Sequence, residues 1–382
     1  KDKKQIKPRF ALCFPDTYEI GMSNLGMRIL YGVMNDLPGV WCERVFAPWG
    51  DMEEELRKAD MPLFALESGD PITDYDIVAF SVGYEMAFPA ILNMLDLAHI
   101  PLHAADRTGL TPLVIAGGTA MYNAEPLADF IDLVSLGEGE DVTVELVELH
   151  RRARREGWSK ADFLRAAARL DGIYVPSLYD VTYHDDGTVA SITPRDGAPA
   201  VVTKRIVHDM DKSYFPVNTI VPSTEIVQDR VTLELFRGCI RGCRFCQAGF
   251  SCRPVRKKSP EVLYRQAVET LRASGNNEIT ISSLSTSDYR GLKELTDNGC
   301  RLILYSMRHG KLLDRAVEWF RVRGIPLYAV NENPSQKRWT SSPKIHADLY
   351  IDDCNLGCPL RFIDGEKHPV ADWAKIREQL VR

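Results

Sequence analysis

The stretch ELFRGCIRGCRFCQAGF, residues 234–250, places three cysteines within eight residues. They are Cys239, Cys243 and Cys246, in the spacing C-x3-C-x2-C, with glycines and arginines between them. Only two of the chain's nine cysteines precede this stretch. Clustered cysteines in a reducing compartment bind metal or act in catalysis more often than they pair, and three thiols leave one without a disulfide partner. The spacing therefore indicates a metal centre.

Two kinds of metal centre match these thiols. A structural zinc site usually takes four ligands, and Cys252, Cys354 or Cys358 could supply the fourth. An iron–sulfur cubane held by three thiolates keeps one iron open for a further ligand. Gly238 and Gly242 allow a tight backbone path around such a cluster, and the intervening arginines offset its negative charge. We favour the cluster and keep zinc as the alternative.

The composition is that of an ordinary globular protein, with 45% hydrophobic and 26% charged residues among 382. The net charge of −6 gives no electrostatic footprint for nucleic acid. No apolar run reaches the length of a membrane span, and the N-terminus KDKKQIKPRF lacks the apolar core of a signal peptide. We therefore expect a cytoplasmic protein that binds no membrane; nucleic acid is not indicated, although a local basic patch would be compatible with this net charge.

The first 156 residues alternate short apolar runs with amphipathic stretches. This alternation predicts an α/β fold with a doubly wound, Rossmann-like parallel sheet. The predicted strands are RFALCF (9–14), DIVAFSV (76–82), PLVIAGG (112–118) and DLVSLGEGE (132–140), and the predicted helices cover 26–37, 87–100 and 140–156. A ligand would lie at the carboxyl ends of these strands, where PDTYEIG, SVGYE, AGGTA and GEGED are rich in small residues. Ordinary turns between strand and helix would give the same composition.

The rest of the chain divides into three further predicted segments. Residues 157–226 read as a linker that contains a β-hairpin turning on Asp185-Asp186-Gly187. Residues 227–298 begin with the strand VTLELF (231–236), which enters the cysteine loop, followed by a helix over 259–274 that Ser259 caps. Alternating helices and strands continue through residues 299–382.

The cysteine motif after a first strand, with Phe245 before its last cysteine, resembles the radical S-adenosylmethionine superfamily. RGCIRGCRFCQAGF and RPVRKKSPE resemble the subgroup that carries a cobalamin-binding-like domain in front, over roughly residues 8–298. The resemblance implies a (βα) barrel, of which the sequence shows only part.

The same resemblance implies the cofactors and their residues. Cys239, Cys243 and Cys246 would bind a 4Fe–4S cluster, and S-adenosylmethionine would bind its open iron. Phe245 would lie near the adenine. Ser283 and Ser285 stand where the superfamily usually has a glycine–glycine–glutamate motif for the amino group. A reductant such as flavodoxin or ferredoxin is also implied, while the substrate, small or macromolecular, is not specified.

Cobalamin binding is a further implication of the N-terminal resemblance. The D-x-H-x-x-G loop of cobalamin-binding modules corresponds here to Asp16-Thr17-Tyr18-Glu19-Ile20-Gly21, with Tyr18 at the position of the cobalt-ligating histidine. The implied rim residues are Asp16, Tyr18, Gly21, Ser81, Gly117 and Gly118.

Residues 299–382 resemble the C-terminal part of haloacid-dehalogenase-like phosphohydrolases. In that pattern Ser306 would hold phosphate, Lys344 would brace it, and Asp352 and Asp353 would help bind magnesium. The change of pattern near residues 290–300 is typical either of a fusion of two partial genes, which would make the C-terminus chimeric, or of an artefact of sequence assembly.

Three functions follow. The first is a radical S-adenosylmethionine enzyme that cleaves its cofactor to a 5′-deoxyadenosyl radical. The second is a magnesium-dependent phosphohydrolase that uses the C-terminal residues. The third is a non-catalytic, cluster-binding remnant of a truncated gene.

Overall fold

A computed structural model describes residues 6–228, 230–276, 279–284, 292–297, 301–304, 309–332 and 334, together with the strand pairs at 349–350, 360–361 and 370–371. The chain divides into two compact units. The first contains Lys1–Val207 and Pro222–Asp229, and the second contains His208–Val221 and Arg230–Arg382.

A six-stranded sheet forms the centre of the first unit. The strands are β1 Arg9–Phe14, β2 Trp41–Phe46, β3 Ile77–Ser81, β4 Leu113–Gly117, β5 Leu133–Ser135 and β6 Ile173–Tyr174. Their order in the sheet is β2-β1-β3-β4-β5-β6, with β1 to β5 parallel and β6 antiparallel to β5. All six residues of β1 are buried, as expected for a strand covered on both faces. The predicted parallel sheet is confirmed.

Helices cover both faces of this sheet. They are α1 Tyr18–Gly21, α2 Leu25–Asp36, α3 Gly50–Lys58, α4 Phe88–Leu97, α5 Gly139–Glu156 and α6 Lys160–Ala167. The chain runs from β1 outward to β2 and then back past β1 to β3. Right-handed crossovers therefore place α2, which connects β1 to β2, and α3, which follows β2, on opposite faces of the sheet. Accordingly α2 packs with α5, and α3 packs with α4.

The first unit continues beyond residue 156. Helix α6 begins at a capping box between Ser159 and Asp162 and packs on α5, and β6 joins the sheet. The predicted hairpin is confirmed, with strands β7 Tyr179–Tyr183 and β8 Val189–Pro194. The division of the sequence into four segments stays a prediction.

The second unit contains a parallel sheet of three strands, β9 Val231–Glu234, β12 Ile279–Ser282 and β15 Leu349–Tyr350, with β12 in the middle. Helix α8, Pro260–Ser274, connects β9 to β12 and begins at Ser259, whose side chain accepts from the Val262 amide, as predicted. The strand–helix–strand unit is that of an α/β protein, while closure into a barrel stays a prediction. The other elements are β10 Phe236–Arg237, α7 Ala248–Ser251, β11 Arg256–Lys257, α9 Leu292–Asp297, β13 Ile303–Leu304, α10 Gly310–Val322, β14 Ala329–Val330, β16 Leu360–Arg361 and β17 Val370–Ala371.

In the described part of the chain, no helix is both long and apolar enough to cross a membrane.

Candidate functional site: the rim of the first unit and the cysteine loop of the second

The predicted rim lies at the carboxyl edge of the first unit's sheet. Ser81 ends β3 and pairs in register with Gly117, which ends β4. Asp16 follows β1 by two residues. The strand order reverses between β1 and β3, and such a switch point opens a crevice at the carboxyl ends of the strands. The structure therefore places Asp16, Ser81, Gly117 and Gly118 on one edge, at the position where open α/β sheets bind ligands.

Asp16 links the loops that follow β1, β2 and β3. Its carboxylate accepts from the Thr17 amide at 2.8 Å and from the Tyr84 hydroxyl at 3.2 Å, and its carbonyl accepts from the Ala47 amide at 3.0 Å. The negative charge of Asp16 raises the pKa of Tyr84, with burial and the hydrogen bond adding to the effect. Tyr84 therefore remains a neutral phenol at the mouth of the crevice.

Tyr18 is tied into the protein by both its ring and its hydroxyl. The ring packs edge-on against Phe46 at a centroid distance of 5.3 Å. The hydroxyl accepts from the Ser223 amide at 3.2 Å and lies 3.4 Å from the Ser223 hydroxyl. In the same way the Gln228 amide donates to the Ser23 hydroxyl at 3.0 Å. Tyr18 therefore anchors the segment 222–228 in the position where a cobalamin-binding module would have its ligating histidine.

Gly21 and Gly118 stand at positions where neighbouring atoms leave no room for a Cβ. A Cβ at Gly21 would lie 2.3 Å from a ring carbon of Phe46, and one at Gly118 would lie 2.4 Å from the Val82 carbonyl oxygen. These contacts explain both glycines by packing, without a ligand.

The fourth glycine-rich segment, GEGED, contacts the chain itself. Arg205 forms an isolated parallel bridge with Gly137, and its amide donates to the Leu136 carbonyl at 2.8 Å. The Arg205 guanidinium pairs with Glu145. Because a returning segment covers the end of β5, this part of the predicted rim is occupied by protein. No local pattern indicated Arg205, which lies 68 residues beyond Gly137.

The cysteine loop is closed at its base. Strands β10 and β11 pair antiparallel through Phe236 with Lys257 and Arg237 with Arg256, so residues 238–255 project between them. Gly238 adopts φ +88°, and a Cβ there would lie 2.5 Å from the Pro254 carbonyl oxygen. Arg253 donates to the Cys239 carbonyl at 3.3 Å. These contacts within the protein therefore fix the two ends of the loop.

The three thiols share this loop in different environments. Cys239 is buried and its sulfur accepts from the Arg241 amide at 3.4 Å, whereas Cys243 and Cys246 are partly exposed and joined by a turn, with the Cys246 amide donating to the Cys243 carbonyl at 3.1 Å. The sulfurs are not gathered around one point, since the described residues contain no group of three His, Cys, Asp or Glu side chains placed to hold a metal ion.

The two cysteines of the first unit lie in a different environment from those of the cysteine loop. Cys13 and Cys42 are buried in strands β1 and β2, and burial raises the pKa of each thiol far above its usual range. Such thiols stay protonated and inert, because the thiolate is the form that binds metal.

Positive charge is concentrated around the cysteine loop. From Arg237 to Lys258 the sequence carries seven basic residues and no acidic one. Arg241 and Arg253 are partly buried and Arg244 is exposed. A tri-thiolate cluster is anionic, so this charge favours binding of such a group.

Of the residues predicted to contact S-adenosylmethionine, the structure places only Phe245 in the loop itself. Phe245 is 85% exposed. Ser283 follows the end of β12, on the strand next to β9. Ser285 lies outside the described residues, as do Ser306, Lys344, Asp352 and Asp353 of the C-terminal resemblance.

Sequence reasoning missed a polar face on the sheet beside the loop. Thr232 and Glu234 of β9 pair in register with Thr280 and Ser282 of β12. The alternation of VTLE, with polar residues at every second position, was the signal that could have shown this face.

Part of the first unit is similar to a known protein family. Residues 26–176 match the family described as radical SAM proteins, N-terminal, where SAM stands for S-adenosylmethionine. The match bears out the predicted similarity to radical S-adenosylmethionine proteins over these residues, while the similarity to cobalamin-binding modules stays a prediction. The match covers none of residues 299–382, where the phosphohydrolase resemblance stays a prediction.

Similar individual proteins are longer than this chain. An uncharacterized protein of Methanocaldococcus jannaschii is 23% identical over 317 residues, which are 81% of this chain and 57% of that protein. The radical S-adenosylmethionine methyltransferase TsrM of Kitasatospora setae, solved with cobalamin and a [4Fe-4S] cluster, gives a TM-score of 0.47 at 15% identity over 78% of this chain and 54% of that one. TsrM solved with tryptophan and a SAM analogue gives the same score and identity over 85% and 67%. The chain spans a little over half the length of the curated relative.

Proposed function

We propose that the chain binds a 4Fe–4S cluster through Cys239, Cys243 and Cys246 and uses it to cleave S-adenosylmethionine. The observation that carries this proposal is the C-x3-C-x2-C loop at the carboxyl end of β9, in a chain whose residues 26–176 match the radical SAM N-terminal family. The chemistry supplied by a cluster so bound is one-electron reduction of S-adenosylmethionine, which gives methionine and a 5′-deoxyadenosyl radical.

The residues of the loop fit such a cluster. Two of the three thiols are partly exposed, so iron and sulfide can reach them, and the third lies buried at the closed base of the loop. The β10–β11 pair and the contact of Gly238 with Pro254 fix the base, which leaves the loop between them to close on the metal. The basic side chains compensate the negative charge that the protein would otherwise bury.

Cobalamin binding belongs to the same proposal, with the rim of the first unit as its site. The rim offers Asp16, Ser81, Gly117 and Gly118 at the carboxyl ends of β1, β3 and β4, together with the exposed side chains of Tyr84 and Met86 in the loop after β3. Tyr18 is engaged by Ser223, so the loop after β1 would give the cobalt no imidazole and no free phenol. Cobalamin would then be held by the rim residues, and the side chains of this loop would help to position it without binding its cobalt.

The reaction requires an external source of electrons. We propose a reductant of the flavodoxin or ferredoxin type, because the chemistry consumes one electron for each S-adenosylmethionine cleaved. The residues of the phosphohydrolase resemblance lie outside those that the structure describes, so that function stays a prediction.

Anaerobic reconstitution with iron and sulfide tests the proposal. We expect a brown protein that binds iron and, with a chemical reductant, releases 5′-deoxyadenosine from S-adenosylmethionine. Replacing Cys239, Cys243 or Cys246 by Ala should abolish iron binding. Cys252→Ala removes a thiol of the same loop outside the motif and serves as the matched control, which should keep its iron.

Two outcomes would contradict the proposal. Wild-type protein that stays colourless excludes a cluster. Equal loss of iron in Cys252→Ala and in the three motif variants would show that the spacing does not define the ligands. Iron binding without formation of 5′-deoxyadenosine would instead support a non-catalytic cluster protein.

A further inference from the structure

Charge is divided unequally between the two units. The first unit carries 20 Lys and Arg against 34 Asp and Glu, a net charge of −14, and the second carries 27 against 19, a net charge of +8. The total of −6 therefore conceals a basic second unit. A surface of one sign attracts partners of the opposite sign and speeds their association, and charge asymmetry between the halves of a chain is typical of proteins that bind nucleic acid.

Part of this positive charge reaches the surface at the cysteine loop and its base. Arg237 is set aside, because Glu234 pairs with it. The remaining basic side chains that are exposed or only partly buried are Arg241, Arg244, Arg253 and Lys257. A cluster held by three thiolates has a net charge of about −1 to −2, because its positive core offsets part of the thiolate charge. These four cations exceed that charge, so positive charge remains for an anionic partner outside the protein.

Apolar side chains are exposed among these cations. Phe250 is 56% exposed, and the guanidinium carbon of Arg253 lies 5.1 Å from the centroid of its ring. Ile240 and Phe245 are exposed in the same loop. Unpaired bases stack on aromatic rings and on arginine planes, while lysine and arginine contact the phosphates between them. The loop therefore combines the two kinds of contact that a single-stranded nucleic acid needs.

We propose that this face of the second unit binds single-stranded RNA, with Arg244 and Lys257 contacting phosphates and Phe250 stacking on an unpaired base. RNA is favoured over duplex DNA because its loops and bulges present unpaired bases. It is favoured over an acidic protein because a standard protein interface takes about 20–30 residues a side, more than this loop exposes. The inference rests on the proposed function in one respect, since it makes RNA the substrate class on which the cluster acts.

Fluorescence anisotropy with a labelled single-stranded RNA of mixed sequence tests this surface. An RNA of roughly 12 nucleotides is titrated with the reconstituted full chain at several salt concentrations. Each phosphate contact adds about 0.7 to the slope of log affinity against log salt. Arg244→Gln and Lys257→Gln should each lower that slope by about 0.7 and weaken binding about fivefold at about 0.1 M salt. Phe250→Ala should weaken binding about fivefold or more and leave the slope unchanged, because stacking releases no counterions.

Arg272→Gln is the matched control. Arg272 is exposed in the last turn of α8, roughly 20 Å along the helix from Ser259. The change removes the same charge from the same unit, away from the cysteine loop, and should alter neither the affinity nor the slope. Iron bound per chain is measured for every variant, and should Arg244→Gln lose its iron, Lys257→Gln, which lies outside the span of the thiols, decides by the same salt slope.

The outcomes separate this inference from the proposed function. Equal effects of Arg244→Gln and Arg272→Gln would overturn the inference, as would duplex RNA that binds as tightly as the single strand. Poly-glutamate that binds as tightly as the RNA, with Phe250→Ala unchanged, would point to an acidic protein partner instead. Wild-type protein that cleaves S-adenosylmethionine and does not bind the RNA refutes this inference alone. Protein that shows the expected variant pattern but takes up no iron keeps the RNA surface and refutes the cluster.

Discussion

Replacement of Gly238 by alanine should damage the cysteine loop more than the same change at Gly242. Both glycines adopt positive φ, +88° and +66°. A side chain in that region costs roughly 1–2 kcal/mol at either position. At Gly238 the new Cβ would also lie 2.5 Å from the Pro254 oxygen and 2.9 Å from the Cys252 oxygen, both backbone atoms. Overpacking of this kind adds about 1–3 kcal/mol, for a total of about 2–5 kcal/mol.

Gly242 is the matched control because its surroundings are open. The nearest atom to a Cβ there is the end of the Arg253 side chain at 3.4 Å, which can move aside. Only the backbone cost of roughly 1–2 kcal/mol remains. The assay is urea unfolding of the whole chain followed by tryptophan fluorescence, together with iron bound per chain after reconstitution.

The expected result is a larger loss of unfolding free energy and of iron for Gly238→Ala than for Gly242→Ala. Equal losses in the two variants would refute the reasoning, because the contact with Pro254 would then contribute nothing to the closed base. Unchanged iron in Gly238→Ala would show that the β10–β11 clamp does not position the thiols.

Two further predictions concern the first unit. Gly21→Ala should lower its unfolding free energy by about 1–3 kcal/mol, because the Cβ would lie 2.3 Å from the Phe46 ring, whereas Gly50→Ala meets no atom within 4 Å and should be neutral in the same thermal unfolding experiment. Destabilisation by both or by neither would contradict this packing argument. Burial lowers the pKa of His150, outweighing the opposite effect of Asp76. Only the unfolded state then gains a proton as the pH falls below about 6.5, so stability should drop by up to about 1.4 kcal/mol per pH unit until the folded pKa is reached. Urea unfolding between about pH 8 and pH 5 should show this slope in the wild type and a smaller one in His150→Leu, and identical slopes would refute it.

The sequence by itself determined the features that depend on neighbouring residues. The predicted strand β1 is confirmed residue for residue, because the short apolar run Phe10–Phe14 after Arg9 suits a strand that is covered on both faces of a sheet. Ser259 and the glycine after residue 274 bounded α8 correctly, because caps act within one turn of the helix. The C-x3-C-x2-C spacing likewise identified the cysteine loop, because its three cysteines are close neighbours in the sequence.

Only the tertiary structure decided which of the predicted rim positions are contacted by another part of the chain. Tyr18 and Gly137 look alike in the sequence, as polar or small residues at the ends of strands, yet Ser223 engages the first and Arg205 the second. Those partners lie 205 and 68 residues away along the chain, and no local pattern encodes a contact at such a separation. The pairing of Glu234 with Ser282 is of the same kind, because the register of two strands separated by a helix is fixed by packing.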